Sequence, residues 1–333
     1  MQGSNTIELV DNHGRKINYL RIGITDKCNL RCIYCMPEKG LNFLPENELL
    51  DFSEIQRIIK ISTELGIKKL RLTGGEPFVR PGFIDFLKEI AKIKDLEICI
   101  TTNALLAYEH LDELLNLGIL HLNISLDSLD PDNFKKITRR DKFEPTMLAI
   151  HSMIEKGFNL KINTVLMEGK NNHEIPDFIE FVKKYPVEVR FIEEMPFNGK
   201  GDLKGSFPCS EEMIKKTIED SCQSIYSLPF KHGDTAKMFS SKEWLGKIGI
   251  IGAYSRSFCG ACNRLRITPA GEIKNCLYDS SVFNLKEFMR EGNSNQVIKN
   301  KIVEIVGKRF LNGFEAEKNR NIKLTESMTT IGG

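Results

Sequence analysis

Residues 19–35 read YLRIGITDKCNLRCIYC: a short β-branched run, then three cysteines spaced C-x-x-x-C-x-x-C at Cys28, Cys32 and Cys35. The run 19–25 has the composition of a strand, and the cysteines follow its end. In parallel α/β architectures ligands bind at the carboxyl ends of strands. The short spacing lets one loop wrap a single inorganic centre with three thiolates, and soft sulfur selects zinc, copper(I) or an iron–sulfur cluster. A structural zinc ion normally takes four protein ligands. No fourth Cys or His lies nearby, the nearest histidine being His13. Three thiolates on a four-iron cluster leave one iron open to a small molecule. On spacing alone, cluster and zinc both stay open.

Outward from this stretch, residues 19 to about 195 alternate short β-branched runs with amphipathic segments. The pattern predicts strands at 19–25, 67–73, 96–101, 120–126, 160–166 and 187–192. Helices are expected at 52–65 with Ser53 as N-cap, at 81–93 beginning on a proline, and at 107–117, 130–137, 144–156 and 171–184. Alternating β and α units call for a parallel sheet with helices outside, either open or curved into a partial barrel. Several suggestive groups fall at strand ends: the cysteines, Gly74-Gly75-Glu76-Pro77, Thr101-Thr102-Asn103, Ser125 with Asp127, and Met195. The polar, glycine-rich stretch 199–205 (GKGDLKG) marks a boundary, giving two expected units, 1–198 and 199–333. The second is expected to be smaller and α+β, with helices at 210–221, 284–291 and 295–307 and strands at 224–230, 235–240, 247–251, 264–268 and 271–275.

The chain has 333 residues, 41% of them apolar, enough for a full core. Its 47 Lys and Arg nearly balance 45 Asp and Glu, for a net charge of +2, which argues against a protein that coats nucleic acid. No run reaches the roughly 20 apolar residues of a membrane span, and the first residues lack a signal-peptide pattern, so a cytoplasmic location is expected. Nine cysteines, an odd number, disfavour a disulfide framework. Cys99, Cys209 and Cys222 stand alone and read as small buried hydrophobes.

The remaining three form C-x-x-C-x13-C at Cys259, Cys262 and Cys276. Spacing alone leaves a zinc half-site at even odds. Cys262 leads into Asn263-Arg264-Leu265-Arg266-Ile267-Thr268, Gly271-Glu272-Ile273-Lys274 leads to Cys276, and the sequence ends Met328-Thr329-Thr330-Ile331-Gly332-Gly333. The first motif, with Tyr34 before its last cysteine and the Gly74–Pro77 run after the next strand, resembles the radical S-adenosylmethionine (SAM) superfamily. Both motifs and the tail together resemble its GTP 3′,8-cyclase family of molybdenum cofactor biosynthesis, from about Arg21 to the last residue. The weakest stretch is about 197–250, where no functional motif is recognised.

That resemblance implies a curved partial (β/α)6 barrel of TIM-barrel type whose mouth is closed by the smaller C-terminal region. It implies two 4Fe–4S clusters, one on Cys28, Cys32 and Cys35 and one on Cys259, Cys262 and Cys276, with SAM on the open iron of the first and the guanine of GTP facing the second. The implied reaction abstracts hydrogen from the ribose C3′ with a 5′-deoxyadenosyl radical, joins C3′ to C8, and reduces the product radical through the second cluster. SAM contacts carry over to Tyr34, Gly75, Ser125 and Met195. GTP contacts carry over to Arg21, Arg71, Thr102, Lys161, Arg190, Arg264, Leu265 and Arg266. Catalytic roles go to Arg264, Arg266, Gly332 and Gly333, the double-glycine tail reaching toward the active site. Neither G-x-x-x-x-G-K-[ST] nor G-x-G-x-x-G occurs, so a triphosphate must be held by side-chain cations. Expected partners are GTP, an electron donor such as flavodoxin or ferredoxin, cyclic pyranopterin monophosphate synthase as the next enzyme, and a second copy in a homodimer; no nucleic acid and no membrane. Two rivals remain: a peptide-modifying radical enzyme with auxiliary clusters, and a zinc-stabilised binding module without catalysis.

Overall fold

The computed structural model describes residues 8–199, 209–222, 224–231, 233–320 and 326–332. Its strands are β1 (Tyr19–Gly23), β2 (Lys69–Thr73), β3 (Glu97–Thr102), β4 (His121–Ser125), β5 (Asn159–Leu166), β6 (Glu188–Glu193), β7 (Ile225–Ser227), β8 (Lys237–Ser241), β9 (Lys247–Ile251), β10 (Arg264–Ile267), β11 (Glu272–Lys274) and β12 (Phe283–Asn284). The helices are α1 (Phe52–Glu64), α2 (Phe83–Ile90), α3 (Leu111–Asn116), α4 (Pro131–Thr138), α5 (Phe143–Glu155), α6 (Ile175–Lys184), α7 (Glu211–Ser221), α8 (Leu285–Arg290), α9 (Asn295–Val306), α10 (Gly313–Lys318) and α11 (Met328–Ile331).

All the strands form one open sheet in the order β12-β11-β10-β1-β2-β3-β4-β5-β6-β9-β8-β7. From β10 through β1–β6 to β9 every neighbouring pair is parallel, and antiparallel hairpins finish both edges. The strands beyond residue 199 therefore build no separate sheet: β9 extends the edge at β6 and β10 the edge at β1. The expected boundary at 199–205 lies almost wholly outside the described residues.

Side chains alternate across the sheet. Leu20 and Ile22 of β1, Leu70 and Leu72 of β2, Ile98 and Ile100 of β3, and Leu122 and Ile124 of β4 join the core beneath the helices. The other face is polar. Pairing sets Arg71, Arg21 and Arg266 side by side on β2, β1 and β10, with Cys99 opposite Arg71; Thr101, Asn123 and Lys161 form a second row two residues further along β3. Like charges directly opposite one another destabilise a sheet, and here Tyr19, against Arg21 and Arg71, offsets only part of that.

Two expectations on helix ends are corrected. The N-cap of α1 is Asp51, not Ser53: Asp51 accepts from Glu54 N at 2.7 Å and Glu54 accepts from Asp51 N at 2.8 Å, a capping box, while Ser53 donates to Asp51. Asp51→Ala is expected to cost about 1 kcal/mol in denaturant unfolding, and Ser53→Ala less than about 0.5 kcal/mol. The helix expected at 81–93 begins only at Phe83, because Gly82 at its N-cap takes a left-handed φ of 81°. Two short helices, α10 and α11, carry too few residues to show a period and were not expected.

Candidate functional site

The first cysteine loop leaves β1 and is fastened on both sides. Gly75 N donates to Thr25 O at 2.7 Å and Glu76 N to Lys27 O at 2.8 Å, and Arg31 N and Ile33 N each donate at 3.0 Å to the end of α4, at Thr138 O and Ile137 O. The Arg139 guanidinium adds bonds to the carbonyls of Arg31 and Met36. Cys28, Cys32 and Cys35 thus line one cavity together with Tyr34, Gly75, Ser125 and Met195, all four expected SAM contacts.

Among the described residues the cation acting on these sulfurs is Arg31, which bonds the Cys28 carbonyl, and burial outweighs it. Burial pushes Cys28 up to about 11, with Glu76 adding to it. Burial also raises Cys32 and Cys35, and neighbouring thiols and Asp127 add to the rise. Glu76 accepts from Thr102 Oγ1 at 2.8 Å and Asn103 N at 2.7 Å, and burial lifts it to about 7. Asp127 accepts from Tyr34 OH at 2.8 Å and Val165 N at 2.9 Å, and burial lifts it to about 6. Thiolates there need a partner bringing its own positive charge. Among the described residues no three His, Cys, Asp or Glu side chains converge tightly enough for a single metal ion. Three thiols line this cavity and no fourth Cys or His does, which fits a multi-iron group with three thiolate ligands better than a structural zinc ion, which takes four.

The second triplet is assembled by the sheet. Cys259 and Cys262 lie on the turn before β10, and Cys276 follows β11; the β10–β11 hairpin brings them onto one cavity. Here the surroundings are cationic. Arg21, Arg190, Arg256, Arg264 and Arg266 line the same cavity, with Asn123, Asn275 and Tyr278. Burial opposes it, yet Arg264 and Arg309 pull the Cys262 thiol down to about 7. Burial raises Cys259, and raises Cys276 to about 11. Burial, with Arg21 and Arg264, lowers Arg266 to about 9. Nε of Arg21, Nε and Nη2 of Arg264, and Nε and Nη1 of Arg256 are buried without a hydrogen-bond partner. Arg256 pairs with Glu317 through its remaining nitrogen, but no carboxylate among the described residues meets Arg21 or Arg264; leaving a buried charge unpaired costs several kcal/mol, so the cavity is built for a polyanion. The triplet fits the same kind of three-thiolate centre.

The two cavities share a wall of Asn163, Ile192, Met195 and Met328. The C-terminal tail runs along it: Ser327 Oγ donates to Cys35 O, Met328 N donates to Phe197 O at 2.9 Å, and Gly332 O accepts from Arg266 Nη1 at 2.7 Å. Gly333 lies outside the described residues.

Other expected substrate contacts fall elsewhere. Thr102 lines the first cavity and bonds Glu76, not the second cavity. Arg71 lines neither; it bonds the Tyr19 hydroxyl, which Arg21 and Arg71 pull down to about 7 against the effect of burial. Lys161 also lines neither and lies 3.8 Å from Glu188. The Leu265 side chain belongs to the apolar core, since it alternates with Arg264 and Arg266 on β10. Sequence reasoning did not single out Asn163, Arg256, Tyr278, Met328 and Thr329 as lining residues; the nearness of Arg256 to Cys259 and the place of Met328 and Thr329 in the tail motif were the available signals.

Residues 22–182 match the Radical SAM superfamily and residues 187–312 match Molybdenum Cofactor Synthesis C. A Clostridium perfringens protein named GTP 3′,8-cyclase is 39% identical over 330 residues, 97% of this chain and 99% of that one. Molybdenum cofactor biosynthesis protein 1 of Homo sapiens is 40% identical over 303 residues, 90% of this chain and 48% of that one. Among solved structures, Streptococcus suis SuiB bound to precursor peptide SuiA aligns with a TM-score of 0.61 at 15% identity, over 92% of this chain and 69% of that chain. The last is a likeness of fold alone, and it makes the open sheet one of partial TIM-barrel type. On near-complete coverage at this identity, with both domain matches in sequence, the chain belongs to the radical SAM superfamily and, within it, to the GTP 3′,8-cyclase family.

Proposed function

We propose that this chain is a radical SAM lyase that converts GTP to (8S)-3′,8-cyclo-7,8-dihydroguanosine 5′-triphosphate, the first step of molybdenum cofactor biosynthesis. One observation carries the reading: two three-thiol loops open onto cavities with a common wall, one edged by carboxyls and the other by guanidiniums, three of which keep buried N–H groups unsatisfied. Cys28, Cys32 and Cys35 hold one four-iron cluster and Cys259, Cys262 and Cys276 the other. When bound, the first cluster and SAM together supply reductive carbon–sulfur cleavage and, through it, hydrogen-atom abstraction at the ribose C3′.

The chain's own residues hold and orient. Gly75 lets backbone approach the methionine end of SAM, and Tyr34, Ser125 and Met195 complete that cradle. Arg21, Arg190, Arg264 and Arg266 grip the triphosphate, each charge-assisted bond worth about 1.5–3 kcal/mol. Arg71 and Lys161 extend the cationic row on the same sheet face, and Thr102 acts through Glu76. Met195 and Met328 are apolar groups in the shared wall and keep bulk water from the reacting carbons. Residues 1–198 form the unit carrying the first cluster, and residues 199–333 close the mouth with the second. Among the described residues no helix is long and apolar enough to cross a membrane; we place the enzyme in the cytoplasm, with a flavodoxin- or ferredoxin-type electron donor, transfer of product to cyclic pyranopterin monophosphate synthase, and a homodimeric state.

Anaerobic reconstitution with iron and sulfide is expected to give about eight iron atoms per chain, four for each cluster. Adding SAM, a strong reductant and GTP is expected to yield 5′-deoxyadenosine together with the cyclised nucleotide, identified by mass. Zinc alone in the protein, or 5′-deoxyadenosine release without GTP consumption, would overturn the reading.

A further inference from the structure

Behind the second cysteine turn lies a buried ionic cluster that the reaction does not use. Asp11, its side chain 0% exposed, meets Arg15 Nε at 2.7 Å and Arg309 Nε at 3.4 Å, and its other oxygen accepts from the backbone of His13 and Arg15 at 2.9 Å each. One carboxylate thus fixes two guanidiniums, and both reach the cysteine turn. Arg15 Nη1 donates to Cys259 O at 3.2 Å, with further bonds to Leu311 O and Phe310 O. Arg309 Nη1 donates to Arg264 O at 2.9 Å, and Arg309 Nη2 lies 3.5 Å from Cys262 Sγ, within bonding reach of sulfur. His13 Nε2 donates to Arg309 O at 2.9 Å and closes the clamp.

A guanidinium donating to a cluster thiolate has a definite electrochemical consequence. Reduction adds one electron and no proton, so the charge of the centre becomes one unit more negative. A cation and a donor on its sulfur stabilise that state. The Cys28 sulfur accepts from uncharged donors, Leu30 N at 3.4 Å and Asn103 Nδ2 at 3.8 Å; Glu76 opposes its thiolate, and Arg31 favours it from the Cys28 carbonyl and not from the sulfur. We propose that Arg309, positioned by Asp11, donates a hydrogen bond to the Cys262 sulfur of the second four-iron centre and holds that centre's reduction potential above that of the first. An electron delivered to the protein therefore rests on the second centre before the first is reduced. The inference rests on the functional reading above and deepens it, because it gives the second centre its place in the order of reduction.

The test is a redox titration of reconstituted full-length protein with dithionite, followed by electron paramagnetic resonance. The second centre is identified from Cys28→Ser/Cys32→Ser/Cys35→Ser protein, which keeps only that one. In the wild type the second centre is expected to be reduced first. Arg309→Gln is expected to lower its potential and leave the first centre's unchanged. Arg309→Lys, which keeps the charge and loses the planar fork, is expected to lower it less. A merely structural role predicts the opposite sign, since a loosened turn admits water and water favours the more highly charged, reduced state. An unmoved or raised potential in Arg309→Lys, or loss of the second centre from Arg309→Gln with no shift in Arg309→Lys, overturns the proposal. No iron at Cys259, Cys262 and Cys276 sinks the functional reading itself, whereas a centre that forms and does not shift sinks this inference alone.

Discussion

Gly75→Ala is expected to strip the first centre from the protein, reconstituted iron falling from about eight to about four atoms per chain and turnover dropping at least about 100-fold. A Cβ built at Gly75 lies 2.1 Å from Lys27 O, 2.6 Å from Lys27 C and 2.7 Å from Asp26 O. All three are backbone atoms, so no side chain can swing aside. Relief requires the segment before Cys28 to retreat by about 1 Å, which breaks the bonds from Gly75 N to Thr25 O and from Glu76 N to Lys27 O. A misplacement of that size is enough to cost about two orders of magnitude in rate. Here it also spoils the convergence of three sulfurs. Gly118→Ala is the control: its φ of 70° strains alanine, but nothing lies within 4 Å of the added carbon. That change is expected to cost about 1 kcal/mol of stability and no iron. Full iron and full turnover in Gly75→Ala would show that the close approach of the two loops is incidental.

The positions of these loops were legible because their determinants are local. The six central strands are short β-branched runs buried under helices, the first three cysteines sit within eight positions, and a single hairpin carries Cys276 back to Cys259 and Cys262. The α1 capping box was equally local: Asp51 stands three residues before Glu54, and the signal was missed because Ser53 also suits a cap. What sequence did not reveal is non-local. Nothing in Arg264–Ile267 or Lys247–Ile251 says that these strands pair with β1 and β6 rather than with each other. Arg15 and Arg309 are 294 positions apart by their numbers and meet on Asp11 only after the sheet edge has formed. A lone arginine in sequence reads as a solvated charge. Leu265 differs in kind: period-2 alternation puts its side chain on the face opposite Arg264 and Arg266, so a substrate contact there has to come from its backbone.

Removing Gly332 and Gly333 is expected to leave about eight iron atoms per chain and lower kcat at least about 100-fold, with the KM for GTP changed far less. The tail is not a frayed end. Lys274 and Arg320 each hold Glu326 at 2.6 Å, Ser327 bonds the Cys35 carbonyl, and Met328 reaches both cavities. The anchorage sets Gly332 beside Thr73 and Gly23, where its carbonyl accepts from Arg266 at 2.7 Å. Arg266 is flanked by Arg21 and Arg264 and belongs to a cavity with a surplus of positive charge. The tail carbonyl fixes one end of its guanidinium, and on the proposed function the other end serves the substrate. Without it, Arg266 is free to swing away from its like-charged neighbours. Binding survives on the remaining cations, but the oriented donor needed as charge shifts on the nucleotide is lost, and one such donor is worth about 10²–10³ in rate. Gly332→Ala is a graded version: φ is 75°, and the new carbon would meet Thr73 Cγ2 at 3.3 Å. It is expected to cost about 10-fold in kcat, since a strain of about 1–2 kcal/mol tilts the carbonyl without removing it. Turnover at the full-length rate by the truncated chain would mean that Arg266 is oriented by the substrate alone.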